Sequence, residues 1–200
     1  MIKIGTGAFP SGRAWDHMGR TELVQIFVSY DDRAIRFLQC LYAENGRLVL
    51  SERPDDTYPG KKFSTVTLQY PDEFLTSLKG TCCSDNRGNE KLTSIEFGTN
   101  VGRHGPFGQA YEGDKYFDFQ LGNHQAFGGF HGTTRSYLLG SIGVYVKPIA
   151  LPRNLNSDQQ VKVLKSANID VWRQQAVMKL AEWIWEFGRL SAIGVYIEGD

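Results

Sequence analysis

The chain has 200 residues, enough for one ordinary domain and an appendage but not for two full domains. Its 22 basic residues cancel 22 acidic ones, so no general electrostatic pull favours nucleic acid or an anionic membrane, and neither is expected as a partner. Hydrophobic residues at 41% suit a chain that folds around a core, while 22 glycines beside 12 phenylalanines and 9 tyrosines suit short strands joined by tight turns.

At the start, Met1-Ile2-Lys3-Ile4-Gly5 lacks the apolar stretch of a signal peptide. No run approaches the roughly 20 apolar residues that cross a bilayer as a helix. Cys40, Cys82 and Cys83 are an odd number without a framework spacing. A reducing compartment is therefore expected, cytoplasmic and extending to the nucleus.

From Leu23 to about Ile149 apolar residues recur with a period near two. Leu23–Tyr30 is predicted as a strand ending at the turn residues Asp31-Asp32. Ile35–Tyr42 follows, and Glu44-Asn45-Gly46 is a hairpin signal. Further strands are predicted over Arg47–Ser51, Phe63–Tyr70, Leu75–Thr81, Leu92–Phe97, Tyr116–Leu121, Ala126–His131 and Ser141–Val146. Such a series, with no helical pattern before residue 155, implies an antiparallel sandwich, barrel or prism.

Near Pro148–Pro152 the character changes. Arg153–Gln160 is polar and linker-like. Asp170–Leu190 then places Trp172, Ala176, Leu180, Trp183 and Phe187 at helical spacing, with Asp170 as N-cap and Gly188 as stop. This helix either docks on the chain's own domain or serves a partner or self-association. The stretch Gly140–Val146 is echoed by Leu190–Ile197 at the C-terminus, as a duplicated closing strand or by coincidence.

Catalytic chemistry has little support. His17, His104, His124 and His131 stand in no zinc-protease spacing, and no nucleophile elbow or phosphate-binding loop occurs. Cys82-Cys83 lacks the second ligand pair of a zinc site. His131 reads as strand-end structure, and Asp55-Asp56 and Asp72-Glu73 as solvated turns. No enzyme activity, metal or cofactor is expected.

Several stretches together resemble the jacalin-related lectins of the plant cytosolic type. Lys3-Ile4-Gly5 and Gly12-Arg13-Ala14-Trp15-Asp16 look like the family's first strand and glycine-rich loop. Leu48–Ser51 with Val66–Gly80, Leu92–Asn100 with Gly105-Pro106-Phe107-Gly108, Gly128–Gly132 and Ile142–Val146 follow in the family's order. The resemblance covers about residues 1–149. It implies a β-prism of three four-stranded antiparallel sheets, to which residues 150–200 add a linker, the helical tail and a short strand-like end.

The resemblance also implies metal-free binding of mannose- or galactose-type sugars. The family's pocket joins a first-loop backbone amide to a Gly-x-x-x-Asp turn before the last strand. A carboxylate there accepts two sugar hydroxyls in charge-assisted bonds, and glycine lets the sugar approach closely. Gly12 matches the first-loop glycine. The second half fails: Ser136-Tyr137-Leu138-Leu139-Gly140 puts Ser136 at the motif's glycine and Gly140 at its carboxylate, and Gly132–Gly140 contains no Asp or Glu. Tyr137 is expected to stack on a sugar face, and Asp85 and Asn86 to form a neighbouring specificity loop. Two readings follow: a lectin with a degenerate site in defence or stress, or a lectin-derived protein–protein scaffold, for example in antiviral restriction.

Overall fold

The computed structural model describes residues 1–6, 12–54, 57–84 and 90–148. The predicted tail helix over 170–190, its C-terminal echo, and Asp85 and Asn86 lie outside the described residues.

The described chain is twelve strands in three four-stranded antiparallel sheets. The first contains β1 (Ile2–Gly5), β2 (Arg13–Asp16), β11 (Phe127–Arg135) and β12 (Leu138–Val146), in the order β1-β12-β11-β2. The second contains β7 (Leu75–Ser84), β8 (Glu90–Thr99), β9 (Arg103–Gly108) and β10 (Lys115–Gln120), in the order β10-β7-β8-β9. The third contains β3 (Leu23–Tyr30), β4 (Ile35–Glu44), β5 (Arg47–Leu50) and β6 (Lys62–Thr67), in the order β5-β4-β3-β6. This is the expected β-prism.

Each sheet has the Greek-key order in which the fourth strand returns beside the first. In the second and third sheets the four strands are consecutive. The first instead takes β11 and β12 from late in the chain and β1 and β2 from its start. Ile2 to Gly5 pair with Val146 to Gly143. A Cβ built on Gly5 would lie 2.9 Å from His131 Cε1, and one on Gly143 would strike the same ring. The imidazole therefore lies over a glycine pair, and its Nε2 is 3.0 Å from the Ile4 carbonyl, which it meets as donor. His131 sits within β11, not at its end, and fastens the first strand to the last two.

The inner faces of the sheets share one core. Ile26, Val28, Ile35, Leu38 and Tyr42 meet Leu78, Leu92, Ile95 and Phe97, with Phe130, Leu139, Ile142 and Val144 closing the third side. Alternation along β4 places Leu38, Cys40 and Tyr42 inward and Gln39 and Leu41 outward, which is the period-two signal read from sequence. Phe97 and Phe130 meet edge-to-face at 6.2 Å, and Phe130 meets Phe127 at 4.8 Å.

β9 escaped the sequence reading because Gly105-Pro106 and Gly108 look like turn residues. The strand is an edge, where proline's missing N–H leaves the ladder intact. Glu73 was also misjudged as a solvated turn residue. It is only 3% exposed. Its carboxylate accepts from Gln69 N at 2.9 Å and Thr99 Oγ1 at 2.8 Å, and lies 2.9 Å from His104 Nε2. The turn before β7 is thereby tied to β8 and β9.

Burial opposes ionisation of Glu73, but the bonds from His104, Gln69 and Thr99 hold its pKa below the ordinary 4.5. A depressed carboxylate contributes stability that is present above the unfolded pKa and lost as pH falls through the folded one. Urea unfolding across pH 3 to 7 should show that loss below about pH 4.5, flattened in Glu73→Gln. Glu73→Ala, which strands buried donors, should cost about 1–3 kcal/mol at neutral pH.

Candidate functional site

The β11–β12 hairpin turns through two residues. Arg135 pairs with Leu138, leaving Ser136 and Tyr137 as the loop, with φ of 49° and 68°. A tight hairpin of the I′ kind demands two positive φ values, which Asn-Gly adopts readily. The β4–β5 hairpin meets that demand with Asn45 and Gly46, at 50° and 75°. Ser136-Tyr137 makes the same turn without turn-type residues, so the sequence did not reveal it. Leu138, Leu139 and Gly140 consequently belong to β12 and not to a loop.

Thr133 stands between the two glycines of the proposed cradle. A Cβ on Gly12 would lie 2.9 Å from Thr133 Cβ and 3.2 Å from the Thr134 carbonyl. One on Gly140 would lie 3.2 Å from Thr133 Oγ1 and 3.6 Å from the Glu90 carbonyl oxygen. Thr133 is 8% exposed, and its hydroxyl shares a hydrogen bond with Ser141 Oγ at 2.8 Å. The fold thus brings Gly12, Gly140 and the start of β8 together around Thr133. Thr133 was missed because a lone threonine in a strand carries no distinguishing pattern.

Among the described residues, Glu90 is the acidic residue beside this cradle, and it turns its carboxylate elsewhere. Glu90 presents its backbone carbonyl toward Gly140, while its carboxylate meets Ser84 Oγ at 3.4 Å and Lys115 Nζ at 3.7 Å. Tyr137 is 47% exposed and Tyr58 61%, and their rings meet at 4.6 Å, tilted by 48°. Backbone bridging of Thr57 to Tyr137 holds the two segments together. The pair exposes aromatic surface at the hairpin tip.

The other chemically interesting groups are held in the interior. Burial, reinforced by Arg20, pushes the His17 pKa down to about 4, and its Nδ1 lies 3.0 Å from Tyr42 Oη. Burial pushes the Cys40 thiol up to about 12 and Cys82 up to about 11. A cysteine nucleophile needs the opposite shift. Among the described residues no group of three or more His, Cys, Asp or Glu side chains could hold a metal ion.

Residues 4–145 match the model of the jacalin-like lectin domain. Protein RESTRICTED TEV MOVEMENT 1 of Arabidopsis thaliana is 36% identical over 135 residues, which is 67% of this chain and 77% of that protein. Jacalin-related lectin 24 of the same plant is 33% identical over 146 residues, covering 68% of this chain and 62% of its own length. Among solved structures, a mannose-specific jacalin-related lectin from Morus nigra, in complex with mannose, superposes with a TM-score of 0.62. It is 28% identical and covers 73% of this chain and 95% of that one.

Replacing Ser136-Tyr137 by Asn-Gly should relieve the two strained φ values and raise stability by about 0.5–1 kcal/mol in urea unfolding. The same change removes the ring that Tyr58 packs against.

Proposed function

The chain belongs to the jacalin-like lectin family, and on that premise we propose a carbohydrate-binding recognition module whose sugar site is degenerate. Support comes first from the Gly12–Thr133–Gly140 cradle, which keeps the close backbone approach of a sugar site and, among the described residues, has no hydroxyl-gripping carboxylate. Tyr58 and Tyr137 offer stacking in its place, on mannose- or galactose-type glycans. The chain acts by recognition without bond-breaking chemistry, a reading that the raised thiol pKa values and the neutral, buried His17 favour. Its setting is cytoplasmic, in defence or stress response.

Magnitudes favour extended glycans over single sugars. A monosaccharide held by about 4 kcal/mol binds only at millimolar concentration. Bonds to a charged group contribute roughly 1.5–3 kcal/mol each, so losing two removes most of that binding. Stacking on a tyrosine pair grows with the length of glycan laid across it, and self-association of the chain would multiply weak contacts.

A second reading, a lectin-derived protein–protein scaffold, draws on the same missing carboxylate. It also draws on the 36% identity to a protein named for restricted movement of TEV. The segment 170–190, whose sequence has helical spacing, would then be its docking or self-association element.

Calorimetric titration separates the two. The unmodified chain is expected to give no measurable heat with mannose or galactose but to bind an oligomannose glycan, with loss in Tyr137→Ala. Gly140→Asp alone is crowded by Thr133 Oγ1, so millimolar mannose binding is expected from Gly140→Asp combined with Thr133→Ala. Silence toward a full glycan array by the unmodified chain, with the scaffold folded, would decide for the protein–protein reading.

A further inference from the structure

A second recess lies where the edge of the first sheet faces the chain that leaves the third. It is a cleft of about 290 Å³ between β2 and residues 52–54. That volume is at the small end of ligand sites, which run to roughly 300–1,000 Å³. We propose that this cleft is a second glycan subsite, in which Glu52 and Arg53 grip the hydroxyls of one neutral hexose unit of an oligosaccharide laid over Tyr58 and Tyr137. The subsite rests on the reading of the protein as a glycan binder, and it gives the rest of the glycan a place.

Charge selects a neutral occupant, because most charged groups along the cleft are already matched. Arg20 Nε lies 3.3 Å from a Glu44 carboxylate oxygen, and Arg13 has an interaction of its own. Asp16 accepts from Tyr145 Oη at 2.5 Å and Met18 N at 2.7 Å, with Lys3 Nζ at 3.7 Å. Glu52 and Arg53 are left. Both are exposed and line the cleft, and among the described residues neither side chain is in an ion pair. One carboxylate and one guanidinium cancel, so neither an anion nor a cation is favoured. Together they set a two-oxygen acceptor near a fork of donors. The vicinal hydroxyls of a sugar satisfy both, donating to the first and accepting from the second.

The remaining lining fits the same ligand. Arg53 lies over the Phe37 ring, 5.6 Å from its centroid. A stacked guanidinium keeps its N–H edge directed, so less freedom is lost when it donates to a hydroxyl. Trp15 and Pro54 add apolar wall. The indole is fixed against Gly132, where a Cβ would lie 2.8 Å from Trp15 Cζ2. Apolar wall beside a donor and an acceptor matches a pyranose, which gathers C–H groups on a face and hydroxyls around its rim. The cleft is also tied to the tyrosine pair. Pro54 O accepts from Thr57 Oγ1 at 2.7 Å, Thr57 bridges to Tyr137, and Tyr137 packs on Tyr58 at 4.6 Å. An oligosaccharide seated on the tyrosines has the cleft as its next hold.

The test is calorimetric titration of the whole chain and its variants with an oligomannose glycan. Affinity should fall about tenfold or more in Glu52→Gln and in Arg53→Gln, each of which removes a charged partner of the hydroxyls. Ala14→Trp fills the cleft from exposed β2 without altering a charge, and should weaken binding similarly. The three changes act by different routes at exposed positions, so a single misfolded variant, detected by thermal unfolding, leaves the other two to decide. Loss of oligomannose binding in Tyr137→Ala, combined with indifference to all three cleft variants, would overturn the subsite and leave the tyrosine reading standing. Silence of the unmodified chain toward oligomannose would overturn both. Displacement of the glycan by free glutamate or free lysine would show an ionic occupant and would also overturn the subsite.

Discussion

The prism depends on the junction of its first and last described strands. Two sheets are made of consecutive strands, but the first closes only when β1 reaches β12 and β2 reaches β11. Gly5 and Gly143 face each other in that pairing so that the His131 ring can lie across both and bond the Ile4 carbonyl. Without this junction the inward side chains of Phe130, Ile142 and Val144 would lose the sheet that holds them against Phe97 and its neighbours. The candidate sugar cradle belongs to the same sheet: Gly12 leads into β2, Thr133 is in β11 and Gly140 in β12. Core closure and site assembly are one event.

Much of the architecture was legible because its signals are local. Period-two alternation, as in β4, follows directly from one buried face. Asn45-Gly46 announced its hairpin because these residues accept positive φ easily. What was not legible depends on partners far away in sequence. Glu73 reads as a turn carboxylate until Thr99 and His104 are brought to it. Gly105-Pro106 reads as a turn until the strand is known to be an edge. Ser136-Tyr137 violates the local preference of its own turn, and a Tyr58 contact from a distant segment accompanies it. The cradle glycines were visible only through family resemblance, and the threonine between them through nothing in the sequence at all.

The candidate site offers close approach to backbone without, among the described residues, a carboxylate to grip a ligand. Glycine at two positions lets a ligand come close to backbone, but Glu90, the acidic side chain alongside, is engaged with Ser84 and Lys115. On the proposed reading, the exposed Tyr58–Tyr137 pair carries the larger share of recognition, which trades directional specificity for tolerance of longer ligands.

The circular route of the first sheet also orders events during synthesis. β1 and β2 emerge from the ribosome first, yet their partners are about 130 residues later in the chain. The second and third sheets can pair internally as they appear, while the opening strands wait with unpaired edges. Such long-range pairing is slow and leaves strands open to wrong partners. Nascent chains therefore pass through a window in which two sheets are complete and the sugar cradle does not yet exist.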